Sequence, residues 1–123
     1  MFESVSSLAV YVSDMERAKR FYTEILGFEV AHDLGPVLCF LRSASGRIDI
    51  YMEAGHEPVR VNPGTCRVGF YLQTERSAPE LFAQLKAAGV NLLEDAPEQV
   101  ADDTYCFGFS DPDGNIIEVS ARP

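Results

Sequence analysis

The chain repeats itself in outline, and this repeat restricts the fold more than any other feature. A shift of 60 residues lays Ser7, Ala9 and Tyr11 over Arg67, Gly69 and Tyr71, and a shift of 62 lays Leu26-Gly27-Phe28 over Ala88-Gly89-Val90. Few identities survive the shift, but the order of local signals does. In the first copy Val5 to Val12 has the character of a strand. Asp14 stands as the N-cap of a helix from Met15 to Leu26, whose apolar stripe is Met15, Ala18, Phe21, Tyr22, Ile25 and Leu26. Glu16 and Arg20 are spaced to pair on its exposed face. Gly27 sits where a chain leaving a helix takes a positive φ. Strands are predicted over Phe28 to His32, Val37 to Leu41 and Arg47 to Glu53, the last alternating Ile48, Ile50 and Met52 against Asp49, Tyr51 and Glu53.

The second copy follows the same order. Ala54 to Thr65 contains Gly55, Pro58, Pro63 and Gly64, a linker composition, so the halves run from about 1–54 and 66–123 with the linker at 55–65. Cys66 to Gln73 alternates as a strand. Ser77-Ala78-Pro79-Glu80 has the pattern of a capping box, Leu81, Phe82, Leu85 and Ala88 form a buried stripe, and Gly89 stops the helix. Val90 to Leu93, Tyr105 to Phe109 and Ile116 to Ser120 supply three more strands, with Glu94 to Asp103 a polar connection and Asp111-Pro112-Asp113-Gly114 a tight turn. The predicted fold is α+β, a single domain of two tandem βαβββ modules.

Bulk properties narrow the function. Ten basic against 19 acidic residues leave a net charge of -9, which repels a phosphate backbone and argues against nucleic acid. It also favours a cationic ligand. No apolar run approaches the ~20 residues that span a bilayer, and the opening segment lacks the basic residues of a signal peptide, so no membrane partner and a cytoplasmic location are expected. Cys39, Cys66 and Cys106 are too scattered for a disulfide framework or a metal knuckle and are expected to behave as small hydrophobes. No Ser-His-Asp or Cys-His spacing supports nucleophilic catalysis, and no Gly-rich phosphate loop is present.

Two segments carry a resemblance. Tyr11-Val12-Ser13-Asp14-Met15-Glu16-Arg17-Ala18, followed by Phe21-Tyr22 and Leu26-Gly27-Phe28, resembles the opening hallmark of vicinal oxygen chelate proteins, the group of glyoxalases, extradiol dioxygenases and bleomycin-resistance proteins. Phe109-Ser110-Asp111-Pro112-Asp113-Gly114-Asn115 with Glu118-Val119 resembles their closing hallmark. The resemblance implies a curled, eight-stranded mixed sheet forming a cleft, two main helices outside it, and a homodimer. Metal enzymes of the group place ligands on the first and last strands of each half, positions that map onto Ser7, Asp49, Arg67 and Glu118. Only Glu118 matches in type, and Asp49 is a shortened match. Ser7 is a poor ligand for a divalent ion, and Arg67 offers a fixed cation with no lone pair.

Alternation sends Ser7, Asp49, Arg67 and Glu118 to one face, with Tyr11, Tyr51 and Tyr71 nearby. Two carboxylates facing one another need a cation, and Arg67 supplies one; adding a metal would crowd like charges at a cost of several kcal/mol. The aromatic residues Phe21, Tyr22, Phe28, Phe40, Phe70 and Phe82 are expected in the core, whereas the three tyrosines are expected to face a ligand. Glu53 and His56 could be imagined as ligands, but His56 lies in the linker beside Pro58 and is read as a solvent residue, as is His32. The reading that agrees with these features is a metal-independent protein that binds or sequesters a cationic or aromatic small molecule, similar to the antibiotic-resistance members, with no cofactor. One alternative is a lyase, isomerase or dioxygenase using Zn, Ni, Mn or Fe at Asp49 and Glu118. The other is a metal-free enzyme with Glu118 as general base and Arg67 holding an anion.

Overall fold

The computed structural model of the protein describes residues 1–55 and 69–123. Two compact units, Met1–Arg60 and Val61–Pro123, each carry one mixed sheet and one principal helix. Cys66, Arg67 and His56 lie outside the described residues, as does the expected start of the second half's first strand.

The first unit contains β1 (Leu8–Tyr11), α1 (Met15–Arg20), β2 (Glu29–Asp33), β3 (Leu38–Arg42) and β4 (Ile48–Glu53). Its sheet runs β1-β4-β3-β2, with β1 parallel to β4 and the other pairs antiparallel. Helix α1 begins where expected, because the extended Asp14 accepts the Arg17 amide at 3.1 Å. It does not continue as one α-helix to Leu26. Phe21–Ile25 form a π-helical turn, with the Leu26 amide reaching back to the Phe21 carbonyl at 3.1 Å and the Thr23 hydroxyl taking the Lys19 carbonyl at 2.6 Å. Gly27 then leaves with φ +83. Glu16 pairs with Lys19 at 2.9 Å rather than with the expected Arg20; the same ammonium reaches Asp33 at 2.9 Å and ties α1 to β2. Val10, Met15, Ala18, Tyr22, Leu41, Ile50 and Met52 are buried between helix and sheet.

The second unit contains β5 (Phe70–Ser77), α2 (Ala78–Ala87), β6 (Asn91–Leu92), β7 (Glu98–Ala101), β8 (Thr104–Ser110) and β9 (Ile116–Arg122). The sheet runs β5-β9-β8-β6, and β7 also pairs with β8. The capping box does not close: Ser77 occupies the N-cap with φ -63 and ψ 128, but its hydroxyl makes no capping bond, and Pro79 has already removed one of the first-turn amides. Phe82 packs edge-on against Phe107 at 5.3 Å, over a core of Phe70, Phe109, Ile117, Val119 and Ala121.

The polar stretch Glu94 to Asp103, expected as a connection, contains β7, a strand beyond the eight expected. β6 and β7 lie on the same edge of β8, β6 against Phe109 and Ser110 and β7 against Thr104 to Cys106. Together they occupy the place that β2 holds alone in the first sheet. At the break between them the Leu93 amide still donates to the Gly108 carbonyl at 2.9 Å, and the Glu94 carboxylate accepts the Gly108 amide at 2.7 Å. A side chain thereby replaces the missing backbone acceptor. Each unit is a βαβββ module, the second with one strand split.

Candidate functional site

Each sheet buries one face beneath its helix and leaves the other open, and strand alternation decides which residues stand on the open side. In β4 the buried Ile50 and Met52 alternate with the half-buried Asp49, Tyr51 and Glu53. Tyr51 lies in register with Ala9 of β1 and Phe40 of β3, and Glu53 lies in register with Tyr11 and Leu38. Tyr11, Asp49 and Tyr51 therefore share the first sheet's open face, as alternation requires. Ser7 is half-buried immediately before β1.

Phe40 corrects the expectation that it packs in the core. Cys39 and Leu41 are fully buried, so Phe40 between them must point the other way, where its ring meets Tyr51 at 5.6 Å and His32 at 6.0 Å. The uninterrupted apolar run Val37 to Leu41 concealed its face. His32 is exposed, as expected, yet it belongs to this aromatic group.

Asp49 is committed locally. Its carboxylate accepts the Ser43 hydroxyl, receives the Ser45 hydroxyl at 3.3 Å, and lies 3.7 Å from the Arg47 guanidinium, all within the β3–β4 turn.

On the second sheet, Tyr71 of β5, Glu118 of β9 and Gly108 of β8 stand in one row. Tyr71 is 64% exposed, while Glu118 is half-buried between its neighbours. Gly108 has no side chain, and a Cβ there would lie 3.1 Å from a Leu93 methyl and 3.7 Å from the Glu94 carboxylate, so Leu93 and Glu94 fold onto the end of the row. No local signal singles out Glu94, since nothing near it in the chain pairs it with an amide 14 positions away. One step along the strands, Cys106 faces Ser120. Burial raises its thiol pKa, and the Glu118 carboxylate adds to the rise.

The donor set does not fit the divalent ion that metal-dependent members of such folds hold. Asp49 gives one oxygen, Oδ2, to the Ser43 and Ser45 hydroxyls and has the Arg47 guanidinium 3.7 Å from the other, Ser7 offers a neutral hydroxyl, Arg67 carries no lone pair, and Glu118 remains as one carboxylate. Among the described residues no three His, Cys, Asp or Glu side chains converge. No helix among them is long and apolar enough to cross a membrane.

Known proteins bear on this arrangement. A family model described as the Glyoxalase/Bleomycin resistance protein/Dioxygenase superfamily matches residues 4–119. YetH, an uncharacterised protein of Bacillus subtilis (strain 168), is 31% identical over 126 residues, covering 95% of this chain and 97% of its own. Among solved structures, TnmS3, an antibiotic binding protein from Streptomyces sp. CB03234, is 28% identical with a TM-score of 0.73, covering 99% of this chain and 98% of its own. The fosfomycin resistance protein FosX from Listeria monocytogenes shares the fold at 20% identity and a TM-score of 0.73, covering 100% of this chain and 96% of its own.

Proposed function

The chain belongs to the glyoxalase/bleomycin resistance protein/dioxygenase superfamily, and from that premise we propose that it binds and sequesters a cationic or aromatic small molecule without a metal ion. The observation that carries this reading is the pair Tyr71–Glu118, a ring beside a half-buried carboxylate on an open sheet face. The ring stacks on a flat ligand while its hydroxyl hydrogen-bonds, and the carboxylate accepts a ligand ammonium or amide. Tyr11 and Tyr51 offer the same chemistry from the open face of the first sheet. We propose Ser7, Asp49 and Arg67 as polar ligand-binding residues of their own halves rather than as metal ligands, Arg67 on its sequence position alone. The likeness to TnmS3, an antibiotic binding protein, supports sequestration of a natural product. The net charge of -9 favours a cationic ligand over an anionic one.

Equilibrium titration of the purified protein with a panel of cationic aromatic compounds tests the reading. Tyr11→Ala, Tyr71→Ala and Glu118→Ala are each expected to weaken binding about tenfold, the loss of one stacking or charge-assisted contact. Dissociation constants that stay flat across all three variants refute it.

A further inference from the structure

We infer that Glu94 is a second carboxylate of the ligand site, and that the ligand's cationic head is a primary ammonium or an amidinium bridging Glu94 and Glu118 across Gly108. This deepens the proposed function by naming the class of cation, and it rests on that reading. Glu118 of β9 lies in direct register with Gly108 of β8. Paired residues point to one face with their Cβ positions about 5 Å apart, so Glu118 stands beside the empty side-chain position of Gly108. Glu94, in the break between β6 and β7, borders that position from the opposite edge of β8. Both of its carboxylate oxygens lie 3.7 Å from where a Cβ on Gly108 would be.

The Gly108 amide holds Glu94 Oε2 at 2.7 Å, so the carboxylate is fixed before any ligand arrives. Its Oε1 and the Glu118 carboxylate have no hydrogen-bond or ion-pair partner among the described residues. Like charges set side by side oppose folding, and a cation placed between them removes that opposition. Nor does the backbone ask for glycine here, because Gly108 lies outside the left-handed region that Gly27 and Gly89 occupy. A glycine within a strand weakens it and marks a close approach from another group. A Cβ at 108 would meet the Leu93 methyl at 3.1 Å and lift Leu93 and Glu94 off the row. The glycine therefore serves to bring the second carboxylate down beside the first. A primary ammonium or an amidinium carries enough N–H donors to give one to each carboxylate. A quaternary ammonium has none, and its methyl groups hold the charge away. Tyr71 pairs with Glu118 on the side away from Gly108 and takes the flat part of the same ligand. The site thus selects for N–H groups on the cation.

Calorimetric titration of the full chain compares naphthylmethylammonium with its quaternary trimethyl counterpart, which share ring and charge and differ in N–H donors. Circular dichroism reports the fold of each variant. The primary cation is expected to bind at least about tenfold more tightly. Glu94→Gln keeps an oxygen for the Gly108 amide but loses the charge, and is expected to cut that preference to within about twofold. Gly108→Ala, which displaces Leu93 and Glu94, is expected to do the same. Equal affinity of the wild-type chain for the two cations overturns the inference. So does an undiminished preference in either variant that keeps its fold, or a Glu94→Gln variant that weakens both cations by the same factor and so marks Glu94 as a distant charge. If binding follows Tyr71 and Glu118 but not Glu94, this inference falls and the proposed function stands. If neither cation binds, both fall.

Discussion

Replacing Asp111 by Ala strips the turn between β8 and β9 of its organising carboxylate. Asp111 is 4% exposed, and its oxygens accept the Asp113 amide at 2.9 Å, the Asn115 amide at 2.8 Å and the Asn115 side-chain nitrogen at 2.7 Å. The backbone closes around the same residue, with the Asp111 amide donating to the Asn115 carbonyl at 2.9 Å and Gly114 turning at φ +86. Hydrogen bonds to a charged acceptor contribute about 1.5 kcal/mol each, so removing three and leaving buried donors unpaired costs about 3–5 kcal/mol. That is a large part of the ~5–15 kcal/mol by which domains are stable. Asp111→Asn keeps one oxygen for the two backbone amides but turns an NH2 toward the Asn115 side-chain nitrogen, and its expected cost is about 1–2 kcal/mol. Urea unfolding followed by far-UV circular dichroism measures both, with an unchanged m-value expected for an effect on the native state alone. An alanine variant that loses less than about 1 kcal/mol, or an asparagine variant as stable as wild type, would contradict the bonding described.

Three further outcomes follow from particular contacts. A Cβ at Gly69 would lie 2.9 Å from the Ile116 carbonyl oxygen, where Gly69 itself donates at 2.7 Å, so Gly69→Ala should destabilise the β5–β9 pairing by about 1–3 kcal/mol, and an unaltered melting temperature would refute this. Lys19 and the Gly35 amide hold the Asp33 carboxyl below its ordinary value of 3.8, so its contribution is fully present above that value and disappears as pH falls through the lowered one. The stability difference between wild type and Asp33→Asn should be constant above about pH 5 and shrink below it, and a difference that grows on acidification reverses the sign. Burial and Glu118 push the Cys106 thiol up, so at mildly alkaline pH it should react with a disulfide reagent more slowly than free cysteine, and Glu118→Gln should quicken it; no change in rate would separate the two side chains.

Much of the fold was legible because its signals are local. The helix stripe, the Asp14 cap and the glycine stops, at φ +83 for Gly27 and +80 for Gly89, need only neighbouring residues, and so does the alternation that sorts β4. What escaped depends on partners far along the chain. β7 is exposed at every position and pairs only along the edge of β8, so it carries no apolar alternation to betray it. The split that β7 shares with β6 is bridged by Glu94 reaching Gly108, a bond between residues that look unrelated in sequence. Phe40 lies in an apolar run that gives no face until Cys39 and Leu41 are seen buried. Of the candidate residues, Tyr11, Asp49 and Tyr51 share one open face, and Tyr71 and Glu118 adjoin on the other sheet. Asp49 looked like an available carboxylate, and only the turn geometry reveals the two serines that occupy it.

The central claim, binding without a metal, is tested most directly by titrating the tightest-binding cationic aromatic compound of the panel into protein stripped with a chelator and into the same protein resupplied with Zn, Ni, Mn or Fe, with elemental analysis of each sample. Equal affinities with no stoichiometric metal retained, together with weakened binding in Glu118→Gln, are the expected result. Stoichiometric metal in the purified protein, with binding or turnover that appears only when the ion is present, would contradict it.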